Sequence, residues 1–487
     1  MIPCQLKSFR TVREGYPMIT YDMTNRSGVS KYEHLHHCIR SDIRSGLLEG
    51  GSKLPSKREL SKHLGVSVST IEQAYDLLVS EGYIEAKPGS GFYVCPNRNE
   101  GTYVEAQPQH ADTSEKLDTR WDRSPQSLFP AETWARLMRK TLSERKPELL
   151  EAVPFNGLFA LRRAITSYLY EFRGIYASPD QVVIGAGTEY LYGRLLQLFG
   201  SRCTIAIGDY GSKNLFNVSS TFGNSWDYLH VDQNGLCVDA LEDSPANLVH
   251  VSPANHFPTG AVLSQDRRDK LIRWIHEKPQ RYIIEDDYDS ELRFSGRSMP
   301  ALFSQDNEGK VIYLNTFSKT LVPSIRISYM VLPRPLMELY RKQSSFYSCT
   351  VSSFEQLTLA QFISGGYFER HIMKLRRHYD RQRSAITSAI KESKIMSIAH
   401  MMRSDVGTHM LLHVDTHMGD DEIVRAAAQR GIKLVMLSDY SVRPTMYSMN
   451  CIVVNEASIG LDQIETMIHV LEDIFARDIN RAKQSHA

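Results

Sequence analysis

The chain has 487 residues, which exceeds one ordinary domain and allows two or three. Its content of 42% hydrophobic and 23% charged residues is typical of a folded globular protein. The formal net charge of +1 neither supports nor excludes nucleic-acid binding, so any such contact must come from a local basic surface.

Motifs for membrane insertion, export and metal binding are missing from the sequence. No apolar run approaches the eighteen or so residues of a membrane helix, and the first ten residues lack an apolar signal core. The seven cysteines show no Cys-x-x-Cys and no paired metal spacing. We therefore expect a cytoplasmic protein with reduced thiols, no metal site and no membrane contact.

A glycine-punctuated helical pattern follows a polar lead-in of residues 1–24. After a first predicted helix, Ser56 can cap a second, Gly65 lets the chain turn, and Ser67 or Ser69 can cap a third. Two alternating strands around Pro88-Gly89 then predict a β-wing. Helix, turn, helix and wing form the winged helix-turn-helix, whose recognition helix enters the major groove of DNA. A generic helical bundle with a hairpin is the alternative, and the position of the wing argues against it.

The runs LPSKREL and LLVSEGYIEAKPGSGFYV, with the Gly-Val-Ser turn between them, resemble the GntR family of winged-helix regulators over residues 25–95. The family tends to carry a cation where Val68 stands here, which favours contact with a thymine methyl over contact with guanine. The resemblance implies double-stranded DNA as a partner, with phosphate and base contacts from Lys57, Arg58, Ser67, Ser69, Thr70 and the wing residue Lys87.

The rest of the chain divides into a linker and an α/β domain. Residues 96–124 are polar, contain few large apolar residues and predict a linker. From about Leu128 onward, apolar β-branched runs alternate with helical patterns, which indicates an α/β domain with a mainly parallel sheet. We assign residues 125–480 to this domain.

The run Tyr282–Glu291 places a carboxylate at the end of an apolar strand, and Lys319 follows in a loop rich in Ser and Thr. An acid beside the pyridine nitrogen and an amine beside the aldehyde are the groups that pyridoxal 5'-phosphate requires. We expect Asp286 to keep the pyridine nitrogen protonated, Tyr288 to donate to the phenolate oxygen, and Lys319 to form a Schiff base.

A phosphate site is predicted where a glycine turn joins a strand to a helix. Gly187 and Thr188 open this helix, whose first backbone N–H groups point toward an anion. A cation and hydroxyl groups would complete the site, from Thr316, Ser318 and Arg326. Each piece alone is more often an ordinary turn or surface loop, and it is their order and spacing that favours the cofactor.

These segments resemble fold-type I aminotransferases, and more closely the MocR/GabR subfamily of GntR regulators. The resemblance runs from about Phe129 to Ile474 and includes Phe257-Pro258-Thr259-Gly260 with the Asp286 and Lys319 segments. It implies a large α/β domain with a small C-terminal domain. It also implies a homodimer in which this domain binds pyridoxal phosphate and controls DNA binding.

Three departures from the subfamily pattern affect the predicted site. Ser212 stands where a tyrosine usually stacks on the cofactor ring, and Tyr210 is the candidate replacement. Asn255 and His256 replace the usual His-Gln, and either side chain is a candidate to face the cofactor; we favour Asn255. The strand at residues 450–455 lacks the arginine that clamps a substrate carboxylate. Arg443 lies a few residues upstream and is a candidate substitute for this clamp, but we favour its interpretation as an ordinary surface arginine.

Two functions remain in competition. The first is a transcription regulator that senses pyridoxal phosphate, an amino acid or an amine; the second is a pyridoxal-phosphate-dependent aminotransferase with an accessory DNA-binding domain. The winged helix favours the regulator, and so does the missing clamp, because transamination requires an anchored substrate. A sensor needs only a ligand affinity that differs between two states. We expect at most weak aminotransferase activity and assign no catalytic residue.

Overall fold

The computed structural model describes residues 12–13, 16–17, 19–23, 29–96, 117–118, 128–211, 213–295, 299–403, 405–442 and 448–485. The chain divides into two compact units, Met1–Ala111 and Asp112–Ala487. Among the described helices, none combines the length and the apolar composition that a bilayer crossing requires.

The first unit is a winged helix-turn-helix, as predicted. Gly65 ends the second helix in the left-handed conformation, with φ of 65°, and Ser67 caps the third by accepting the backbone N–H of Thr70. The wing pairs with a short third strand in the order β3-β5-β4. The elements are β1 Val12–Arg13, β2 Tyr16–Pro17, α1 Lys31–Arg44, β3 Lys53–Leu54, α2 Lys57–Leu64, α3 Val68–Ser80, β4 Ile84–Lys87 and β5 Gly91–Val94.

The polar lead-in contributes two residues to the core of this unit. Ile19 and Tyr21 are buried among the apolar side chains of the three helices. The Tyr21 hydroxyl donates to Asp42 at 2.7 Å in this core. The packed unit thus begins before residue 25, where the sequence predicted its start, because two apolar residues within a polar segment leave no periodic pattern.

The second unit is built on a seven-stranded sheet in the order β7-β15-β14-β13-β12-β8-β9. Strand β15 runs antiparallel to both neighbours, and the other pairs are parallel, which confirms the predicted α/β class. The strands through β15 are β6 Leu117–Asp118, β7 Val182–Gly185, β8 Thr204–Gly208, β9 Ser225–Leu229, β10 Val231–Asp232, β11 Gly235–Leu236, β12 Leu248–Val251, β13 Tyr282–Asp286, β14 Val311–Thr316 and β15 Ser328–Val331.

Helices cover both faces of this sheet, so its central strands are mostly apolar. Every residue of β7, β12, β14 and β15 is buried. The helices are α4 Ala131–Glu144, α5 Lys146–Leu150, α6 Phe159–Arg173, α7 Thr188–Phe199, α8 Lys213–Thr221, α9 Gln265–Glu277, α10 Leu302–Gln305, α11 Arg334–Ser344, α12 Ser353–Ser364 and α13 Tyr367–Glu392.

A smaller antiparallel sheet, in the order β16-β17-β19, packs against the last helices around a separate apolar core. Leu117 is buried in this core, and β6 pairs with β18. These two residues of the predicted linker are thus part of the fold, and the rest of 97–127 lies outside the described residues. The last elements are β16 Ala399–Arg403, β17 His409–Val414, α14 Asp420–Gln429, β18 Ile432–Lys433, β19 Cys451–Asn455, α15 Ile464–Ile474 and α16 Ala476–Ser485.

Candidate functional site

A cavity of about 370 Å³ opens at the carboxyl edge of the large sheet, where β12, β13 and β14 end. Ligands of α/β folds bind at this edge because loops from several strands converge there. Six of the ten residues predicted for the cofactor line the cavity: Thr188, Tyr210, Asp286, Tyr288, Thr316 and Lys319.

Asp286 and Asp287 face different surroundings, as expected for adjacent residues at the end of a strand. Asp286 lines the cavity, and its Oδ2 lies 3.5 Å from Nε2 of His250. Asp287 is buried and accepts hydrogen bonds from Arg173 Nε at 2.8 Å and the Tyr313 hydroxyl at 2.6 Å. His250, missed by the sequence analysis, comes from an otherwise apolar strand, and that polar interruption is the signal that could have identified it.

Asp287 belongs to a buried series of acidic residues that alternates with the cavity residues Asp286 and Tyr288. The series consists of Glu285, Asp287, Asp289 and Glu291, all at most 5% exposed. Burial and the charge of Asp287 raise the pKa of Glu285 and of Glu291 to about 7. The period of two was visible in the sequence, but the partner Arg173, which lies more than one hundred residues earlier, was not.

His256, and not Asn255, faces the cavity. Asn255 is 1% exposed, and its Nδ2 donates to Asp289 at 2.7 Å and to the Tyr288 hydroxyl at 3.2 Å. This corrects the preference for Asn255 as a direct cofactor contact, because its amide is needed to satisfy the buried Asp289. His256 Nδ1 lies 2.9 Å from the hydroxyl of Thr259, and burial lowers the pKa of His256 to about 4. The imidazole at the cavity is therefore neutral near pH 7.

The residues predicted to hold the phosphate lie where the end of β7 meets the beginning of β15. Gly187 precedes α7 with φ of 101°, and a Cβ there would approach Nη2 of Arg326 to 2.7 Å. Arg326 is exposed, and its Nη2 lies 3.4 Å from Oε2 of Glu189. The backbone N–H of Ser318 donates to the Thr316 hydroxyl at 3.2 Å. A cation, a helix N-terminus and hydroxyl groups thus lie close together, and Thr188 and Thr316 among them line the cavity, a grouping that suits a phosphate.

Lys319 lies on the cavity wall, in the loop that follows β14, and is half-buried. The positive charge of Lys319 affects the pKa of two buried groups, Asp289 and His409. Burial raises the pKa of Asp289, and the charge of Lys319 opposes that rise. Burial, with the charge of Lys319, lowers the pKa of His409 to about 3.

Of the residues at which the sequence departs from the subfamily pattern, the structure describes some and not others. Tyr210 is 4% exposed and contributes to the cavity wall, as does Tyr440, which the sequence analysis missed. Every residue of β19, the strand expected to carry the carboxylate clamp, is buried, and none is basic. Ser212 and Arg443 lie outside the described residues.

The residues of the first unit that are predicted to contact DNA differ in whether their charges are already paired. Arg58 is exposed, whereas Lys57 Nζ lies 2.8 Å from Oε1 of Glu72 on the recognition helix. Lys87 lies 2.8 Å from Glu85 and over the ring of Tyr93. At the start of α3, the hydroxyl group of Ser67 forms hydrogen bonds with the hydroxyl groups of Ser69 at 2.9 Å and Thr70 at 2.7 Å.

Comparisons with known proteins match both units. Residues 31–94 match the family described as bacterial regulatory proteins, gntR family, and residues 124–445 match aminotransferase class I and II. The uncharacterized HTH-type transcriptional regulator YdeL of Bacillus subtilis is 33% identical over 86% of this chain and 92% of its own. The probable rhizopine catabolism regulatory protein MocR of Rhizobium meliloti is 30% identical over 84% and 87%.

A further relative and a solved structure are also similar to this chain. The pyridoxine biosynthesis transcriptional regulator PdxR of Corynebacterium glutamicum is 29% identical over 82% of this chain and 87% of its own. The kynurenine aminotransferase of Pyrococcus horikoshii superposes with a TM-score of 0.68 at 22% identity, over 75% of this chain and 92% of that one. The chain therefore belongs to the GntR family of bacterial regulatory proteins, within the MocR/GabR subfamily that joins a helix-turn-helix to an aminotransferase-like domain.

Proposed function

We propose that this helix-turn-helix regulator binds double-stranded DNA and that its aminotransferase-like unit binds pyridoxal 5'-phosphate as cofactor or effector. The observation that carries the proposal is the cavity that brings Asp286 and Lys319 together in a chain that also has a winged helix. The relative PdxR, named as a regulator of pyridoxine biosynthesis, supports the same ligand chemistry.

The residues around the cavity suit the three parts of the cofactor. Asp286 would hold a proton on the pyridine nitrogen, and Tyr288 would donate to the phenolate oxygen. Gly187, Thr188 and Arg326 would hold the phosphate, with Thr316 and Ser318 as supporting hydroxyl groups. The cofactor would supply an aldehyde that condenses with amines, and Lys319 would be its covalent attachment point.

The phosphate would also change the contacts of Arg326. This side chain lies beside Glu189, whose carboxylate is in the first turn of α7. A phosphate at the same helix N-terminus offers a stronger, doubly charged partner, so Arg326 would turn from Glu189 toward the ligand. Ligand binding would thereby reorganise a surface ion pair, which is a local change on which a regulatory response can be built.

We further propose that the protein acts as a homodimer. Large apolar side chains lie exposed on the aminotransferase-like unit, with Leu150 at 88%, Tyr176 at 78% and Phe346 at 75%. A dimer interface would cover such side chains where they form one contiguous patch. A dimer would present two winged helices to a two-part or directly repeated DNA site.

We expect amines to react with the bound cofactor but turnover to stay far below enzyme-like rates. The clamp strand β19 provides no cation, and without a carboxylate anchor the Cα–H bond is poorly aligned for proton removal. The measurement is product formation from a panel of amino donors and 2-oxo acids. Turnover of about one per second or faster, within the ordinary enzyme range, would favour the aminotransferase function instead.

We expect Arg58→Ala to weaken binding to all duplexes and to flatten the dependence of binding on salt. Each lost phosphate contact reduces the slope of log K against log salt by about 0.9. Lys57→Ala should change this slope less, because the charge of Lys57 is already paired with Glu72. The measurement is DNA affinity at several salt concentrations, after genomic fragments are captured with and without pyridoxal phosphate.

Arg273→Ala, which removes an exposed cation from the other unit, is the matched control for this salt series. If Arg58→Ala left both affinity and slope unchanged while capture of genomic fragments succeeded, Arg58 would be no phosphate contact. If the wild-type protein captured no DNA at all, the proposed DNA-binding function itself would be wrong.

A further inference from the structure

The recognition helix α3 contains no lysine and no arginine. Its exposed face instead presents Val68, Ser69, Glu72, Gln73 and Asp76. Arginine and lysine usually provide the bidentate contacts to guanine in the major groove. If α3 enters that groove, base recognition must therefore depend on the hydroxyl, amide and carboxylate groups of this face.

Glu72 is held in place by a residue of the preceding helix. Nζ of Lys57 lies 2.8 Å from Oε1 of Glu72 and 3.7 Å from Oδ1 of Asp76. The same ammonium lies 5.5 Å from the centre of the Phe92 ring in the wing. Lys57 thus connects α2, the recognition helix and the wing, and its side chain is only 24% exposed against 53% for Glu72.

This arrangement changes the role expected for Lys57. The sequence predicted a direct phosphate contact, but the lysine neutralises a carboxylate on the face that would enter the groove. An unpaired carboxylate would be repelled by the phosphates on both sides of the groove. With Lys57 beside it, Glu72 keeps an acceptor oxygen for a base while the local net charge is reduced.

A carboxylate accepts hydrogen bonds and donates none, which limits the bases that it can recognise. In the major groove, cytosine presents its N4 amino group as a donor, whereas guanine presents only acceptors and thymine an acceptor and a methyl group. Adenine presents an N6 donor beside the N7 acceptor, so a carboxylate there would meet repulsion from N7. Cytosine is therefore the base that this chemistry selects.

We propose that Glu72 is a specificity-determining residue that accepts a hydrogen bond from a cytosine N4 amino group, and that Lys57 positions it. The inference rests on the proposed DNA-binding function. Glu72 lies in the second turn of α3, within the N-terminal part of a recognition helix that reads bases. Asp76 follows one turn later and touches the same lysine, so it is the natural control.

The experiment is selection from randomised DNA duplexes with the full-length protein, comparing wild type, Glu72→Gln and Asp76→Asn. The wild type should enrich a C·G pair at one position of each half-site. In Glu72→Gln, the preference for C·G at this position should fall about tenfold. A preference for A·T should appear instead, because glutamine pairs with adenine through both a donor and an acceptor. Asp76→Asn removes the same charge beside Lys57 and should retain the cytosine.

A second measurement modifies the DNA base instead of the protein. The selected cytosine is replaced by N4-methylcytosine, which blocks the groove-facing N–H. This replacement should weaken DNA binding by the wild type about tenfold and leave DNA binding by Glu72→Gln unchanged, since the effects of changing two contacting groups are not additive. An unchanged cytosine preference in Glu72→Gln, or equal effects of methylation on both proteins, would overturn the inference while the DNA-binding function stands. A wild type that binds the duplexes but enriches no motif would also overturn the inference, whereas a wild type that binds none of them would overturn the DNA-binding function itself.

Discussion

Lys319→Ala is expected to abolish the visible absorption band that the protein acquires with pyridoxal phosphate. Lys319 lies on the wall of the cavity that also contains Asp286, and its amine is the group that would bond to the cofactor aldehyde. Alanine provides no amine, so the effect should be complete. The measurement is the absorption spectrum of both proteins after incubation with excess cofactor and removal of unbound ligand.

The cavity contains a second lysine that serves as the matched control. Lys213 lies at the start of α8 and is exposed. Lys213→Ala removes an amine from the same cavity and should retain the band. A wild-type protein that stays colourless with excess cofactor, or a Lys319→Ala variant that keeps the band, would contradict the assignment.

The Lys319→Ala variant also tests whether the cofactor controls DNA binding. If the proposed regulator responds to pyridoxal phosphate through this covalent link, the cofactor should change the DNA affinity of the wild type and have a much smaller effect on Lys319→Ala. The two measurements use the same preparations. A ligand-dependent change of equal size in both proteins would show that the response does not depend on attachment at Lys319.

Alanine at Asp286 and alanine at Asp287 are expected to have opposite consequences. Asp286 lines the cavity, so Asp286→Ala should weaken cofactor binding strongly and change the thermal unfolding midpoint little. Asp287 instead pairs with Arg173 in the interior, where the two side chains are 1% and 6% exposed. Removing one partner of a buried ion pair leaves an uncompensated charge, which costs about 3–5 kcal/mol. Asp287→Ala should therefore lower the unfolding midpoint markedly.

Two measurements separate these effects, a cofactor titration and a thermal unfolding curve for each variant without ligand. Asp287→Asn is the control, because it keeps the volume and part of the hydrogen bonding while it removes the charge. It should fall between the wild type and Asp287→Ala in stability. If Asp287→Ala lost the cofactor while its unfolding midpoint stayed unchanged, the roles of the two aspartates would be reversed.

The winged helix could be predicted because its signals are local. Ser56 and Ser67 cap helices within their own first turns, and Gly65 provides the left-handed turn between them. Local signals of this kind do not depend on the rest of the chain. The same holds for the alternation of apolar strands and helices that predicted the parallel sheet.

The composition of the cavity was predictable for a related reason. Residues that follow parallel strands meet at one edge of the sheet, so the ends of β13 and β14 predicted that Asp286 and Lys319 would converge there. The side toward which each residue points was not predictable in every case. Asn255 and His256 are neighbours in an irregular segment, where no period fixes the direction of a side chain.

Contacts between distant segments were decided by the tertiary structure alone. The sequence determined that the chain contains a winged helix and an aminotransferase-like α/β unit, since each depends on patterns within short segments. It could not show that Asp287 pairs with Arg173, or that Lys57 neutralises Glu72 on the recognition helix. Such pairs form only when folding brings separate elements together, and side-chain burial then determines which charges remain available to a ligand or to DNA.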